Sequence, residues 1–355
     1  MGTHRRSMAV MLDMPTLGRP PFRRRRRRRR LVAVLILLTA AGLGTWLWII
    51  PDDDEPTAAA PAAPAAPVAT TPPPVTAPPP PADPTVELSA LGMRHVKVEV
   101  AGPLETAFVG ALGRDLGAPL TGVVTRSLVW WVSVPGDLRR GDTVEALFSE
   151  RPGAEPLVHA VRFRSEKAGQ TFEVYRFQEA GAPYARLYTR DGNELELRLH
   201  DAPLDDHEQV TSLLRDGRGH QGVDFRVPVG TPVKATFDAV VVHKNWNMRA
   251  NGTCLELRER GGEQRTAYLL HLSEIEAGVG AGDHVAKGKV VARSGNSGRS
   301  FAPHLHYQLM ARSGRVLDPF AAQPTRRRVL PDAHRAAFDA EVARLSGLLD
   351  RAATR

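Results

Sequence analysis

The longest apolar stretch of the chain is Leu31–Ile50, 20 residues without a charge. At about 1.5 Å rise per residue, a helix of that length spans roughly 30 Å, the thickness of a bilayer core, so the pattern predicts one transmembrane helix. The run Arg23–Arg30 abuts its N-terminal end. A basic flank of this kind keeps residues 1–30 cytoplasmic and sends everything after Ile50 outward. The apolar run is too long for a cleaved signal peptide, so the anchor is expected to stay. Residues 51–85 are rich in Pro, Ala and Thr and read as an extended linker with polyproline II character.

Beyond the linker the hydrophobic period changes to two. Val96–Val100, Val129–Val134, Val158–Phe163, Phe172–Phe177 and Glu194–Leu199 read as strands, Leu104–Leu116 has helical spacing, and Arg190–Asn193 carries a hairpin turn signal. Residues 86–205 are therefore expected to form a small α+β domain of antiparallel hairpins. Within it Trp130 and Trp131 fall on a predicted strand, where neighbours face opposite ways, so one ring is expected buried and the other half exposed. Residues 206–325 hold short strands between glycine turns: Val240–Val242, Cys254–Arg258, Thr266–His271, Val290–Arg293 and Leu305–Met310. An antiparallel sheet or sandwich is the natural architecture. Residues 326–355 open with Arg326–Arg328 and continue into a helix over Asp332–Ala352, where Phe338, Val342, Leu345, Leu348 and Leu349 trace one packing face. The chain reads as mainly β outside its termini.

Charge and cysteine content narrow the function. The formal net charge of +8 points first to nucleic acid, but residues 1–30 hold eleven arginines against Asp13 alone, a net +10 that leaves −2 for the rest. Neither domain has the basic excess that phosphate binding needs, so a nucleic-acid partner is not expected. Cys254 is the only cysteine, which excludes an intramolecular disulfide and a thiolate zinc cluster; its aliphatic surroundings predict a buried core residue.

Twelve histidines are present, and four of them fall into a pattern with an aspartate. His220-Gln221-Gly222-Val223-Asp224 is an H-x-G-x-D run. In an extended chain its first and last residues share a face, with Gly222 leaving room between them for an ion. His304-Leu305-His306 repeats the logic: both imidazoles on one face, Leu305 in the core. His271 ends the strand that holds Tyr268, Leu269 and Leu270. Two histidines and one carboxylate make a ligand set that suits zinc and leaves a fourth position open, the composition of a catalytic site. Two spare imidazoles then remain for proton transfer and for stabilising negative charge. No H-E-x-x-H segment occurs, so histidine must serve where other zinc peptidases use glutamate. His4, His95, His159, His200, His207, His243, His284 and His334 lack such partners and read as ordinary.

At these residues the chain resembles the M23 family of zinc metallopeptidases, also called LytM or lysostaphin-like peptidases. The resemblance covers roughly Gly217–Phe320 and rests on H-x-G-x-D, on Tyr268-Leu269-Leu270-His271-Leu272-Ser273, on the turn Gly295-Asn296-Ser297-Gly298-Arg299-Ser300 and on Pro303-His304-Leu305-His306. It implies a compact antiparallel β fold with an open groove. His220, Asp224 and His306 are the implied ligands of one Zn2+ ion, and His271 and His304 the implied catalytic histidines. The implied activity is that of a metalloendopeptidase, in which a zinc-activated water, assisted by histidine acid and base, cleaves peptide cross-links of bacterial peptidoglycan. The alternative is an inactive LytM-type envelope protein that binds peptidoglycan or activates a separate amidase. Phe172–Leu199 looks like the accessory domain of membrane-anchored murein endopeptidases. The resulting expectation is a single-pass protein of the bacterial inner membrane, its catalytic domain in the periplasm or cell wall, with a regulatory envelope protein as a further partner. Two departures touch the groove wall: Thr211–Gly219 is shorter than the loop of many relatives, and Phe301-Ala302 replaces a smaller Thr-Gly.

Overall fold

The computed structural model describes residues 84–353 apart from 215, 217 and 218. The basic tail, the expected transmembrane helix and nearly all of the linker lie outside the described residues, among which no helix is long and apolar enough to cross a membrane. Helix α1 (Pro84–Ala90) leads into β1 (Arg94–Glu99), α2 (Leu104–Leu112), α3 (Arg114–Leu128), β2 (Thr143–Ser149), β3 (Leu157–Ser165), β4 (Gln170–Phe177), β5 (Arg186–Tyr188) and β6 (Asn193–Leu199). Then follow β7 (Gln209–Ser212), β8 (Val223–Arg226), β9 (Pro232–Lys234), β10 (Ala239–Lys244), α4 (Met248–Asn251), β11 (Thr253–Glu259) and β12 (Thr266–Leu272). The chain continues through β13 (Glu274–Ile275), β14 (His284–Val285), β15 (Val290–Arg293), β16 (His304–Met310), β17 (Val316–Leu317), α5 (Pro319–Ala322), β18 (Thr325–Val329) and α6 (Arg335–Ala353).

Three antiparallel sheets result. The first runs β1-β2-β3-β4-β5-β6-β18, the second β14-β10-β11-β12-β16-β8-β7 with β17 on β16, and the third β13-β15-β9. Alternation in the first sheet feeds two cores. Val144, Ala146, Phe148, Phe163 and Val174 pack under α2 and α3, while Leu147, Ala160, Tyr175 and Tyr188 point the other way, onto Phe338, Leu345 and Leu349 of α6. In the second sheet only one set is core: Val223, Phe225, Leu255, Leu257, Leu269, Leu305, Tyr307 and Leu309, joined by Val233 and Val291 of the small sheet. Cys254 is buried, as expected.

The predicted strands other than Val129–Val134 fall within β1, β3, β4, β6, β10, β11, β12, β15 and β16, apart from Val100, one residue past the end of β1, and the hairpin at Arg190–Asn193 joins β5 to β6. Three expectations are corrected. The helix read over Leu104–Leu116 breaks at Gly113, whose φ of +79° reverses the chain between α2 and α3. Gly117 lets those helices touch, since a Cβ there would lie 2.6 Å from the Phe108 carbonyl oxygen. Val129–Val134 is not a strand: its amides fold back on the end of α3, with Val129 N–H donating to Thr125 O and Val132 N–H to Leu128 O. A short apolar run fits either element by periodicity alone. Both tryptophans are therefore half-buried; Trp130 meets Phe320 edge-on at 5.4 Å and Trp131 stacks on Phe172 at 5.1 Å. Finally, β18 pairs with β6, and the predicted C-terminal helix caps the first sheet, so the end of the chain completes the first lobe. Three consecutive arginines in β18 carry no apolar alternation that would have announced a strand.

Candidate active site

The site lies on the face of the second sheet opposite its core. Register puts it there: β8 and β16 pair so that Asp224 faces His306 and Arg226 faces His304, while the intervening Phe225 and Leu305 point into the core. His220 enters from the segment just before β8. The ring of His306 lies against Gly222, where a Cβ would fall 2.7 Å from His306 Nε2 and from the Tyr307 carbonyl oxygen. The room left by this glycine admits the His306 imidazole beside His220 and Asp224.

Three donor atoms converge. His220 Nε2 lies 3.1 Å from Asp224 Oδ1 and 3.0 Å from His306 Nδ1, and His306 Nδ1 lies 2.8 Å from Asp224 Oδ1. Among the described residues this trio forms a group able to hold a metal ion. The fit to zinc is close: bonds of about 2.0–2.1 Å in a tetrahedron place donors about 3.3–3.4 Å apart, so these atoms need move only a few tenths of an ångström. Burial works against the charge of Asp224, but hydrogen bonds from His220 and His306 outweigh it and hold its carboxyl well below the usual range. Burial likewise opposes protonation of His220, and the hydrogen bond to Asp224 overrides it, raising the pKa. The pocket is organised around positive charge.

His271 and His304 stand beside the trio. Their ring centroids are 4.8 Å apart, that of His271 is 6.0 Å from that of His306, and His304 Nε2 is 3.8 Å from Asp224 Oδ1. A carbonyl can only accept, which settles three tautomers. Nδ1–H of His220 donates to Leu213 O at 3.1 Å, that of His271 to Ser297 O at 2.9 Å, and that of His304 to Ala302 O at 2.8 Å. In the neutral rings of His271 and His304 the basic nitrogen is then Nε2, whereas Nε2 of His220 faces Asp224. Burial keeps His271 neutral, with its pKa pushed down to about 4.

Residues 218–319, which include all five of these side chains, match Peptidase family M23. The chain carries an M23 peptidase domain. Among curated relatives, it is 30% identical over 270 residues to "Peptidoglycan DD-endopeptidase ShyA" of Vibrio cholerae, covering 72% of this chain and 60% of that protein. To "Glycyl-glycine endopeptidase ALE-1" of Staphylococcus capitis it is 42% identical over 98 residues, 28% of this chain and 26% of that one. The chain thus spans less than two thirds of either relative. The solved structure of lysostaphin from Staphylococcus simulans is 36% identical, covering 29% of this chain and 43% of that one, with a TM-score of 0.27, which by itself establishes no common shape.

Within the M23 domain, His271 is aimed by an irregularity that periodicity does not reveal. Leu269 pairs with Leu255 and Leu272 with Thr253, so Leu270 and His271 together oppose Cys254, and His271 adopts φ +63°. Such a two-against-one bulge re-aims side chains at the cost of a conformation uncommon outside glycine. The turn Gly295–Gly298 holds it. Ser297 Oγ donates to Leu272 O at 2.6 Å and accepts from Thr253 N–H at 2.9 Å, while Ser297 O takes the His271 proton. A Cβ on Gly252 would sit 2.2 Å from Ser297 Oγ, and one on Gly295 2.3 Å from Ser273 N. The glycines of this motif are therefore packing requirements around His271. Sequence reasoning missed Ser212 and Asp216: Ser212 Oγ lies 2.9 Å from His220 Nδ1 and donates to Asp216 Oδ2 at 2.5 Å. The one available signal was a hydroxyl and a carboxylate within eight residues of the first histidine.

Proposed function

We propose that this protein is a zinc-dependent endopeptidase that cleaves peptide cross-links of bacterial peptidoglycan. The observation that carries the reading is the convergence of His220, Asp224 and His306 beside two imidazoles whose Nδ1–H groups are tied to carbonyls. Relatives whose names specify peptidoglycan DD-endopeptidase and glycyl-glycine endopeptidase activity supply the substrate class. Zinc held by the trio supplies Lewis acidity towards water and the scissile carbonyl. The chain's own residues do the rest. Asp224 contributes the negative charge that keeps the cation in place. His304 Nε2, fixed by the Ala302 carbonyl, takes the proton from water and returns it to the leaving amine. His271, kept neutral by burial with its Nδ1–H tied to Ser297 O, offers Nε2 as a second proton acceptor beside it.

The same proposal includes placement. Arg23–Arg30 and Leu31–Ile50 make a single-pass anchor with the N-terminus in the cytoplasm, the linker carries the described lobes to the wall, and an envelope protein regulates them.

The test uses the full chain and purified cross-linked sacculi, with mass analysis of the released fragments. The expectation is loss of cross-linked dimers, stopped by a chelator and restored by zinc. His304→Ala should retain zinc and lose cleavage by about 10²–10³-fold or more. Full muropeptide hydrolysis by that variant, or a purified chain that binds no zinc, refutes the reading.

A further inference from the structure

Where the first lobe meets the β7–β8 end of the second sheet, the two enclose a small cavity of about 30 Å³. Its wall holds five guanidinium groups, those of Arg126, Arg151, Arg176, Arg186 and Arg226. Four carboxylates share that wall, one fewer than the guanidinium groups. Glu155 takes Arg126 on both oxygens, at 2.6 and 2.7 Å, and Arg226 at 2.6 Å. Glu194 is held by Arg198, with Arg186 at 3.8 Å. Glu208 lies 3.9 Å from Arg226 and acts on Arg176 through space, without a hydrogen bond to it. Glu196 faces the Val210 N–H at 3.1 Å, and burial pushes its pKa up to about 7.

Two arginines hydrogen-bond no carboxylate among the described residues. Arg176 donates only to main-chain oxygens, from Nε to Val158 O at 2.6 Å and from Nη1 to Ala185 O at 3.5 Å. Arg151 donates from Nε to the Glu155 carbonyl at 2.9 Å. Arg186 has partners on both terminal nitrogens, yet its Nε is buried with none, and the residue is 3% exposed. Leaving a guanidinium donor dry and unpaired is costly, and a planar or tetrahedral oxyanion is the group whose acceptors match several such donors at once. At about 10–15 Å³ for one water, the cavity has room for about two, the space of the two oxygens by which a carboxylate or phosphate would enter.

The position ties the cavity to catalysis. Gln209 pairs with Arg226 and Arg226 with His304, so these three form one row across β7, β8 and β16 on the face that carries the site. Gln209 and Arg226 both line the cavity, one strand away from His304.

We propose that this cavity is an oxyanion site, built jointly by the two lobes, that takes a carboxylate or a phosphate group. A carboxylate can come from the wall peptide, in which case the site is a substrate subsite and that part rests on the peptidase reading; a phosphate comes from solution. The test separates these. Thermal melts of the full chain are recorded with acetate, with inorganic phosphate, and with chloride alone at matched ionic strength. Acetate or phosphate should raise Tm progressively, Arg176→Met should abolish the rise, and Arg151→Gln, at the exposed rim, should weaken binding by about tenfold, the scale of one charge-assisted bond. Cleavage is then compared on a cross-linked peptide with a free terminal carboxylate and on its amide. A KM raised about tenfold by amidation, and lost in Arg176→Met, assigns the site to substrate. Anion-dependent melts without an amidation effect assign it to a free anion. Melts that ignore both anions, in the parent and in both variants, mean a cavity that holds only water, and the proposal falls. Because melting needs no turnover, that outcome is distinct from failure of the peptidase reading.

Discussion

The seven-stranded sheet buries both of its faces, under α2 and α3 on one side and α6 on the other, whereas the eight-stranded sheet buries one and keeps the other for its imidazoles. Both are antiparallel and both alternate. In the first sheet, out-of-register positions such as Tyr175 and Tyr188 are as buried as Val174, so alternation separates two cores. In the second, the positions between core residues are His304, His306 and Gln308, with Asp224 and Tyr268 on neighbouring strands. A face that needs no apolar cover is free to concentrate polar groups. The site is thus supported from below by a core built of other side chains, and stability and chemistry are expected to separate by lobe and by face.

Substitutions test that separation. The largest effect belongs to His306→Ala, which should lose zinc and peptide cleavage together while the metal-free protein melts within a few degrees of the parent; a collapse of the fold instead would show that the imidazole face is part of the core. Phe338→Ala makes the opposite cut. This ring is fully buried between α6 and the first sheet, and its removal should cost about 3–5 kcal/mol in denaturant unfolding with zinc affinity unchanged. Coupled loss of zinc affinity would break the comparison.

Ser212→Ala sharpens the boundary from the site's side. It removes a partner of His220 Nδ1 and should weaken zinc binding by about 10–100-fold, read by competition with a chromogenic chelator. An unchanged affinity would leave the Leu213 carbonyl as the sole orienting group.

A further effect is on acid sensitivity. Burial and the nearby Arg176 push the pKa of His159, in β3, from its ordinary 6.5 down to about 4. On acidification the unfolded chain takes up this proton first, so folding stability falls as pH drops from about 6.5 towards 4. His159→Gln should flatten that part of the stability profile in melts at several pH values. A slope identical to the parent's would place the acid sensitivity elsewhere.

Much of this was legible because the relevant physics is local. Alternation located nine strands, helical spacing located α6 with all five of its predicted buried positions, and the paired spacings H-x-G-x-D and H-x-H put four of five site residues on common faces. The errors were equally physical. A short run such as Val129–Val134 satisfies helix end and strand alike, and Arg326–Arg328 forms an edge strand through main-chain pairing to which its side chains offer no clue.

The sequence by itself determined which histidines stand with Asp224 in the candidate site, because spacing within one extended segment decides which side chains share a face. It also determined the anchor-and-linker expectation, which depends on length and composition alone. Only the tertiary structure decided that the C-terminal residues complete the first lobe, that Gly222 yields its space to His306, and that a bulge turns His271 inward over Ser297. It alone gathered five arginines around one cavity. Each of these depends on the register between strands far apart in the chain, and register is set by packing over whole sheets, not by any one segment.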